Sequence, residues 1–385
     1  MNANNVSHPP LRVAMVIGTR PEVIKLAPVI MAAQARAQEF SLCVIRTGQH
    51  RELVDQLMDE FGIQTDIDLK VMQPKQSLAH VMAESVRGLS DAFAATRPDW
   101  VLVQGDTTST FAGALAAFYN RVHVGHVEAG LRTGNRHSPF PEEANRSLTA
   151  CLADLHFAPT QQARSNLIQQ GVAEGDIVVT GNTVIDALFG TLQRLQQANA
   201  APRTRPPSRY VLVTTHRREN HGAALRDICD GLLTLLSEHG DIWVWVPMHP
   251  SPDVREVLVD RLGRHQRVLL TEPLGYTEFV SAMHGAALVL TDSGGVQEEC
   301  AALGKPVLVL RGDTERPEAI DAGVAVLVGT EGSHVAAVAT RLLGEPCSYR
   351  TMARPTSVYG DGRASLRILD ALALVSAQRV SVSRG

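Results

Sequence analysis

The sequence predicts an α/β protein built from two doubly wound halves. Three observations carry this. Short β-branched apolar runs alternate with longer helical stretches along all 385 residues, several runs are apolar at nearly every position, and one Pro- and Arg-rich break divides the chain. Parallel strands covered on both faces read as such continuous apolar runs. Their regular alternation with helical stretches is the pattern of βαβ units.

In the first half, the runs at 13–17, 43–46, 101–103, 122–127 and 177–180 read as strands. In the second, those at 210–214, 242–246, 268–270, 287–291, 307–310 and 324–328 do the same. Segments such as 107–119 and 161–170 read as the helices between them. The break at 198–209 contains NAAPRTRPPSR, which has no apolar period and reads as a linker. The expected domains are therefore 1–197 and 210–363. Ligands of open α/β sheets bind beyond the carboxyl ends of the strands, so residues just after each run are where chemistry is expected.

Composition narrows the function. The formal net charge is −4, and no run of Lys or Arg exceeds two residues, which argues against nucleic-acid binding. No apolar stretch approaches the ~18 residues of a membrane span, and residues 1–12 lack the basic-then-apolar order of a secretory signal. Cys43, Cys151, Cys229, Cys300 and Cys347 are odd in number and form no CxxC pair. Reduced thiols in a cytoplasmic protein fit that usage.

The first run ends in Gly18-Thr19-Arg20-Pro21-Glu22. Gly permits a tight turn, Pro suits the first helical position, and the helix N-terminus beyond offers free N–H groups to an anion. Arg20 and Lys25 add positive charge there; a plain turn with a surface Arg is the alternative. The turn is not GxGxxG, and neither that fingerprint nor GxxxxGK[ST] occurs anywhere in the chain, so a tightly bound nicotinamide or an ATPase loses its usual support.

Asp106 follows the run at 101–103 and is either a helix N-cap or a catalytic carboxylate. Glu128 follows 122–127 between small neighbours, where a carboxylate has little packing to do. His123 and His126 lie within that run and read as satisfied core groups rather than metal ligands, since HxxH in a strand lacks the helical spacing of zinc sites. The stiff loop SPFPEE brings Glu142 and Glu143 to a helix start, a position the helix dipole favours by itself. Asp106, Glu128 and Glu142 would then crowd neighbouring strand ends, and crowded carboxylates raise one another's pKa, as acid–base work requires.

In the second half, THRREN places His216, Arg217 and further charged groups after a strand, and His249 follows another. Thr291-Asp-Ser293-Gly294-Gly295 opens a helix with unobstructed N–H donors, a phosphate cradle. Glu299, one turn on, suits ribose hydroxyls. RGDTER, from Arg311 to Arg316, supplies cations whose forked donors match a diphosphate.

These segments together resemble the non-hydrolysing UDP-N-acetylglucosamine 2-epimerases, from Val13 to about Ile368. The strings that carry the likeness, in order, are GTRPEVIKLAP, TGQHRE, GDTTST, HVGHVEAGLRTG, SPFPEEANR, GNTVIDAL, HRREN, TDSGGVQEE, GKPVLVLR, TERPEA and YGDGRAS. Phe140 stands where an aromatic Trp or Tyr is common. The resemblance implies two Rossmann-like domains in a GT-B-like arrangement with the active site in the cleft between them. The last helix, about 364–385, would pack back on the first domain. It implies reversible conversion of UDP-GlcNAc and UDP-ManNAc for bacterial surface polysaccharide, in a homodimer, with no cofactor and no metal.

On the same basis, Asp106, Glu128, Glu142 and His216 match catalytic positions. Arg20, Lys25, Ser293, Gly294, Gly295, Glu299 and Arg316 match nucleotide-binding positions, with Phe279 near the base. Gln49, Glu52, Lys75, Arg217 and His249 match a second, regulatory UDP-GlcNAc site, although Glu52 and Lys75 differ in type from some relatives. Which carboxylate takes the C2 proton stays open. Other readings are a 2-epimerase for a diacetamido sugar or uronate, a hydrolysing 2-epimerase, a GT-B glycosyltransferase and a non-catalytic nucleotide-sugar sensor.

Overall fold

The computed structural model describes residues 9–48, 51–71, 76–198, 205–215, 217 and 220–382, with the backbone alone at 51–53 and 379–382. The expected linker residues 199–204 lie outside these. The chain divides into two compact units, Met1–Ala187 with Gly360–Gly385, and Leu188–Tyr359.

The first unit holds β1 (Leu11–Ile17), β2 (Phe40–Arg46), β3 (Ile67–Asp68), β4 (Trp100–Gln104), β5 (His123–Val127), β6 (Leu155–Ala158) and β7 (Ile177–Val179). They form one parallel sheet in the order β3-β2-β1-β4-β5-β6-β7. The second unit holds β8 (Tyr210–Thr214), β9 (Trp243–Pro247), β10 (Val268–Thr271), β11 (Leu288–Thr291), β12 (Val307–Val309) and β13 (Ala325–Leu327), parallel in the order β10-β9-β8-β11-β12-β13. Both orders reverse once, between β1 and β4 and between β8 and β11. Such a reversal splays the flanking loops apart at the strands' carboxyl ends and leaves a crevice for ligand.

The sequence reading missed β3 and β6. β3 has two residues, too few for a periodicity. β6 starts two residues after the helix Glu142–Leu152 and carries His156, so neither a gap nor an unbroken apolar run announces it. The other strands fall within a few residues of their expected places.

Burial follows the strand pattern. Trp100 to Val103 of β4 and Val211 to Val213 of β8 are each at most 1% exposed, as central strands covered by helices on both faces must be. The helix Ala364–Val382 lies against the helix Arg20–Gln34 of the first unit. It buries Ile368, Leu369 and Leu372 completely and is tied by Arg36 Nη1 to Asp370 at 2.6 Å and by Trp100 Nε1 donating to Ser376 at 3.0 Å.

Candidate active site

In the first unit, the turn after β1 and the turn after β4 are built around one buried side chain, Glu22. Its carboxylate accepts the backbone N–H groups of Gly18 and Thr19, both at 2.6 Å, and the hydroxyls of Thr107 and Thr110 at 2.5 and 3.0 Å. Burial pushes this carboxyl up, and the four donors pull against it. Gly18 is required by close approach, because a Cβ there would lie 2.1 Å from the Ser109 hydroxyl. Arg20, half-buried, opens the helix that follows.

One turn along that helix, the Lys25 ammonium lies 2.5 Å from both carboxylate oxygens of Glu128. Glu128 stands directly after β5 with φ +62°, a left-handed conformation that costs a non-glycine residue about 1–3 kcal/mol and is kept where the surroundings enforce it. Here those surroundings are polar. Gln104, at the end of β4, donates to Oε2, and Asn182, after β7, donates to Oε1 at 2.9 Å. All four side chains are buried. Glu128 is thus paired with Lys25 and held by two amides, the company a buried carboxylate requires.

Asp106 follows β4 and Gly105. The expected alternative, that Asp106 caps the next helix, is corrected by the structure: Thr107 is the cap and accepts the Thr110 N–H at 3.1 Å. The Asp106 carboxylate is left to Arg146, whose Nε and Nη2 lie 2.8 and 2.7 Å from Oδ2, while Asn145 holds the Asp106 carbonyl at 2.9 Å. The neighbouring acids of the SPFPEE loop divide in role. Glu143 is buried, pairs with Arg146 Nη1 at 3.0 Å and accepts the N–H groups of Thr133 and Gly134, so it braces the loop. Glu142 is half-buried at the first position of the same helix.

His126 and His156 face each other across β5 and β6, both buried. His126 Nε2 meets the Gly105 carbonyl at 2.7 Å. Burial first of all lowers both imidazoles from 6.5, to about 3 for His126 and about 4 for His156. His126 is therefore the core group expected from its strand position, and His123 pairs instead with Asp154 at 2.9 Å. A depressed folded pKa means that the unfolded chain takes up protons first as pH falls. The stability from these neutral rings is present above about pH 6.5 and is lost progressively toward pH 4. The thermal midpoint is expected to fall between pH 7 and 5, and less steeply in His126→Gln, whose amide keeps a donor for Gly105. A midpoint that stays level to pH 5 by scanning fluorimetry would count against it.

In the second unit, the buried Asp292, after β11, ties the two loops of the switch point together. Its Oδ2 accepts Arg217 N and Asn220 Nδ2, each at 3.0 Å, and its carbonyl accepts Arg217 Nε at 3.2 Å. The helix Gly294–Leu303 then begins, with Ser293 as N-cap. Arg316 lies across this N-terminus, so close that a Cβ on Gly294 would be 2.3 Å from its Nη1, whereas Gly295 faces open space.

Two buried carboxylates fix Arg316: Glu298 at 2.5 Å from Nε and Glu315 at 3.0 Å from Nη1. Glu315 also holds Arg311 at 2.8 Å and Arg217 at 3.4 Å. Burial alone would raise the Glu315 carboxyl, but the guanidinium groups of Arg316, Arg311 and Arg217 hold it well below the usual carboxylate range. Glu299 is buried and accepts the Tyr276 hydroxyl at 2.8 Å, and Phe279 is half-buried on the same helix as Tyr276. A helix N-terminus with a fixed guanidinium beside it suits a phosphate oxygen.

The structure thus places Arg20, Lys25, Asp106 and Glu128 beyond the carboxyl ends of β1, β4 and β5, and Arg217, Ser293, Gly294, Gly295, Glu299 and Arg316 around β8 and β11, while Glu142 opens the helix that carries Arg146. His249 is exposed, its Nδ1 accepting the Ser251 N–H at 3.2 Å. His216, Gln49, Lys75 and the Glu52 side chain lie outside the described residues. Sequence reasoning missed Glu22, Gln104, Asn182 and Arg146 in one unit, and Asp292, Glu298 and Glu315 in the other. All but Asn182 are polar residues within a few positions of a chosen one, and only burial distinguishes them from solvated loop residues.

Comparison with known proteins follows the same lines. The family described as UDP-N-acetylglucosamine 2-epimerase matches residues 32–373. A protein named UDP-N-acetylglucosamine 2-epimerase from Escherichia coli O157:H7 is 47% identical over 370 residues, covering 94% of this chain and 98% of its own. The crystal structure of UDP-GlcNAc 2-epimerase from Neisseria meningitidis bound to UDP-GlcNAc superposes with a TM-score of 0.89 at 44% identity, over 94% of this chain and 99% of the other. That of the Methanocaldococcus jannaschii enzyme in complex with UDP-GlcNAc and UDP gives 0.81 at 32% identity, over 94% and 100%. Among the described residues, no helix is long and apolar enough to cross a membrane.

Proposed function

Because the chain belongs to the UDP-N-acetylglucosamine 2-epimerase family, we propose that it interconverts UDP-GlcNAc and UDP-ManNAc, supplying ManNAc units for bacterial surface polysaccharide. The observation that carries this reading is in the first unit, where Lys25 pairs with Glu128 after β5 and Asp106 follows the neighbouring strand β4. The C2 hydrogen of an amino sugar is not acidic, since no carbonyl adjoins it. Elimination solves this: C2 loses its proton as the C1–O bond to UDP breaks, leaving a glycal whose C2 is planar. Re-addition of UDP with proton delivery to the opposite face inverts C2.

That path needs an acid, a base, a charge to answer the cation-like character at C1, and cations on the departing diphosphate. In the proposal, Asp106, Glu128, Glu142 and His216 share the first three tasks. The diphosphate rests at the helix N-terminus Ser293–Gly295 with Arg316, with Glu299 on the ribose and Phe279 beside the base. The fixing of Arg316 by two buried carboxylates supports this, because a preorganised guanidinium loses little freedom on binding.

The proposal extends to a homodimer and to a second UDP-GlcNAc bound by Gln49, Glu52, Lys75, Arg217 and His249 as effector. A cytoplasmic location fits the five free thiols.

The decisive measurement is solvent deuterium. In D2O with UDP-GlcNAc alone, each UDP-ManNAc formed should carry about one deuterium at C2 and none elsewhere, and repeated turnover should label both epimers. Hydride transfer to a cofactor would return the original hydrogen, and glycosyl transfer would leave C2 untouched. UDP-ManNAc formed with protium still at C2 would falsify elimination.

A further inference from the structure

Two strings of the sequence, GNTVIDAL and YGDGRAS, take no part in the chemistry above, yet they meet in the first unit. The chain leaves that unit at Ala187 and re-enters it at Gly360. Gly360, with φ +123°, approaches the turn after β7 so closely that a Cβ on it would lie 3.1 Å from Gly181 Cα and 3.3 Å from the Asn182 nitrogen. The residues beyond it are tied to the same turn. Arg367 donates to the Thr180 carbonyl at 2.9 Å and to both carboxylate oxygens of Asp361 at 2.7 Å. The buried carboxylate of Asp186 accepts Ala364 N at 3.1 Å, Ser365 N at 2.8 Å and the Ser365 hydroxyl at 2.6 Å.

Asn182 sits buried at this junction, and both ends of its amide are committed. Oδ1 accepts the Val184 N–H at 3.1 Å, and Nδ2 donates to Glu128 Oε1 at 2.9 Å. Flipping the amide would set donor against donor and oxygen against carboxylate, so one orientation is enforced. Lys25 also holds Oε1, but from a long flexible stem that can follow the carboxylate as it turns. Asn182 is short and locked, and with Gln104 on Oε2 it holds the plane of the carboxylate.

We infer that Asn182 is a positioning residue for Glu128, and that the re-entering segment 360–367 sets the orientation of that carboxylate through it. The inference rests on the proposed part of Glu128 in the epimerase reaction. A misplacement of 1 Å at a reacting group can cost ~10²-fold in rate.

Asn182→Ala is accordingly expected to lower kcat about tenfold or more, with the Kd for UDP unchanged within about twofold. Asn182→Asp should be worse, since like charges would then face each other. Ser365→Ala and Gly360→Ala should each lower kcat in the wild-type background and add little in the Asn182→Ala background, because both act through the same amide. If Gly360→Ala does not fold, Ser365→Ala serves alone.

A second readout needs no turnover. With selective 15N-asparagine labelling, the Asn182 side-chain signals, assigned by their loss in Asn182→Ala, should move in both Glu128→Gln and Ser365→Ala. Additive kcat effects, or Asn182 signals unmoved in either variant, would overturn the inference. A wild-type chain that fails to epimerise UDP-GlcNAc would overturn the proposed function instead, and the amide signals would still decide whether the link exists.

Discussion

Glu128→Gln is expected to lower kcat by at least ~10²-fold, the scale on which acid–base groups act. It should also destabilise the first unit. Glu128 now accepts from Lys25, Gln104 and Asn182, and an amide at that position has one acceptor oxygen to meet them. Lys25 would remain buried without its counter-charge, and removing one partner of a buried pair costs about 3–5 kcal/mol. Loss of activity in this variant alone would therefore not separate chemistry from stability.

The double variant Lys25→Met/Glu128→Gln makes the separation. With both charges gone the desolvation penalty disappears with the attraction, and replacing both members of a buried pair is often neutral or stabilising. Its thermal midpoint should return close to that of the wild type while kcat stays at the level of the single variant. Recovery of turnover in the double variant would remove Glu128 from the reaction. A midpoint as low as that of Glu128→Gln would instead locate the cost in Gln104 and Asn182.

Glu315→Gln should produce a structural effect of similar size in the second unit. Three guanidinium groups share this one carboxylate at 2.8 to 3.4 Å, and its side chain is 2% exposed. A carboxyl held far below its unfolded pKa contributes stability that is fully present above the unfolded value and is lost only as pH falls through the folded one. At neutral pH the whole contribution is in place.

Neutralising Glu315 leaves buried arginines without that counter-charge, at a cost of about 3–5 kcal/mol. For a unit of this size that corresponds to a fall of roughly 10 °C in thermal midpoint. UDP should bind more weakly as well, because Arg316 would lose one of the two carboxylates that fix it. Calorimetry with UDP measures both effects. A midpoint within about 2 °C of wild type, with unchanged UDP affinity, would contradict this account of the arginine cluster.

The two experiments probe opposite arrangements of charge. Around Glu128, Lys25 and two amides hold one carboxylate. Around Glu315 three guanidinium groups do, with Glu298 and Asp313 as further partners, so the arginines are held in place beside a helix N-terminus. In the proposed reaction, the second arrangement would meet the departing diphosphate and the first the proton transfer.

The sequence by itself determined the fold class, the alternation of strand and helix, most strand positions and the loops on which chemistry falls. Those properties are local: an apolar run such as Val211 to Val213, or a Ser293-Gly294-Gly295 start, carries its meaning in adjacent residues. It also displayed enough ordered motifs to identify the family. Only the tertiary structure decided which polar residues work together. Glu142 and Glu143 are neighbours in the chain, yet Glu143 is drawn to Arg146 and buried while Glu142 is not. Thr107 rather than Asp106 caps a helix, because Arg146, forty residues on, claims the Asp106 carboxylate. Lys25 and Glu128 are 103 residues apart and meet at 2.5 Å. Such pairings depend on which strands lie side by side, and the order of strands in a sheet is set by the packing of the whole unit rather than by any local pattern of residues.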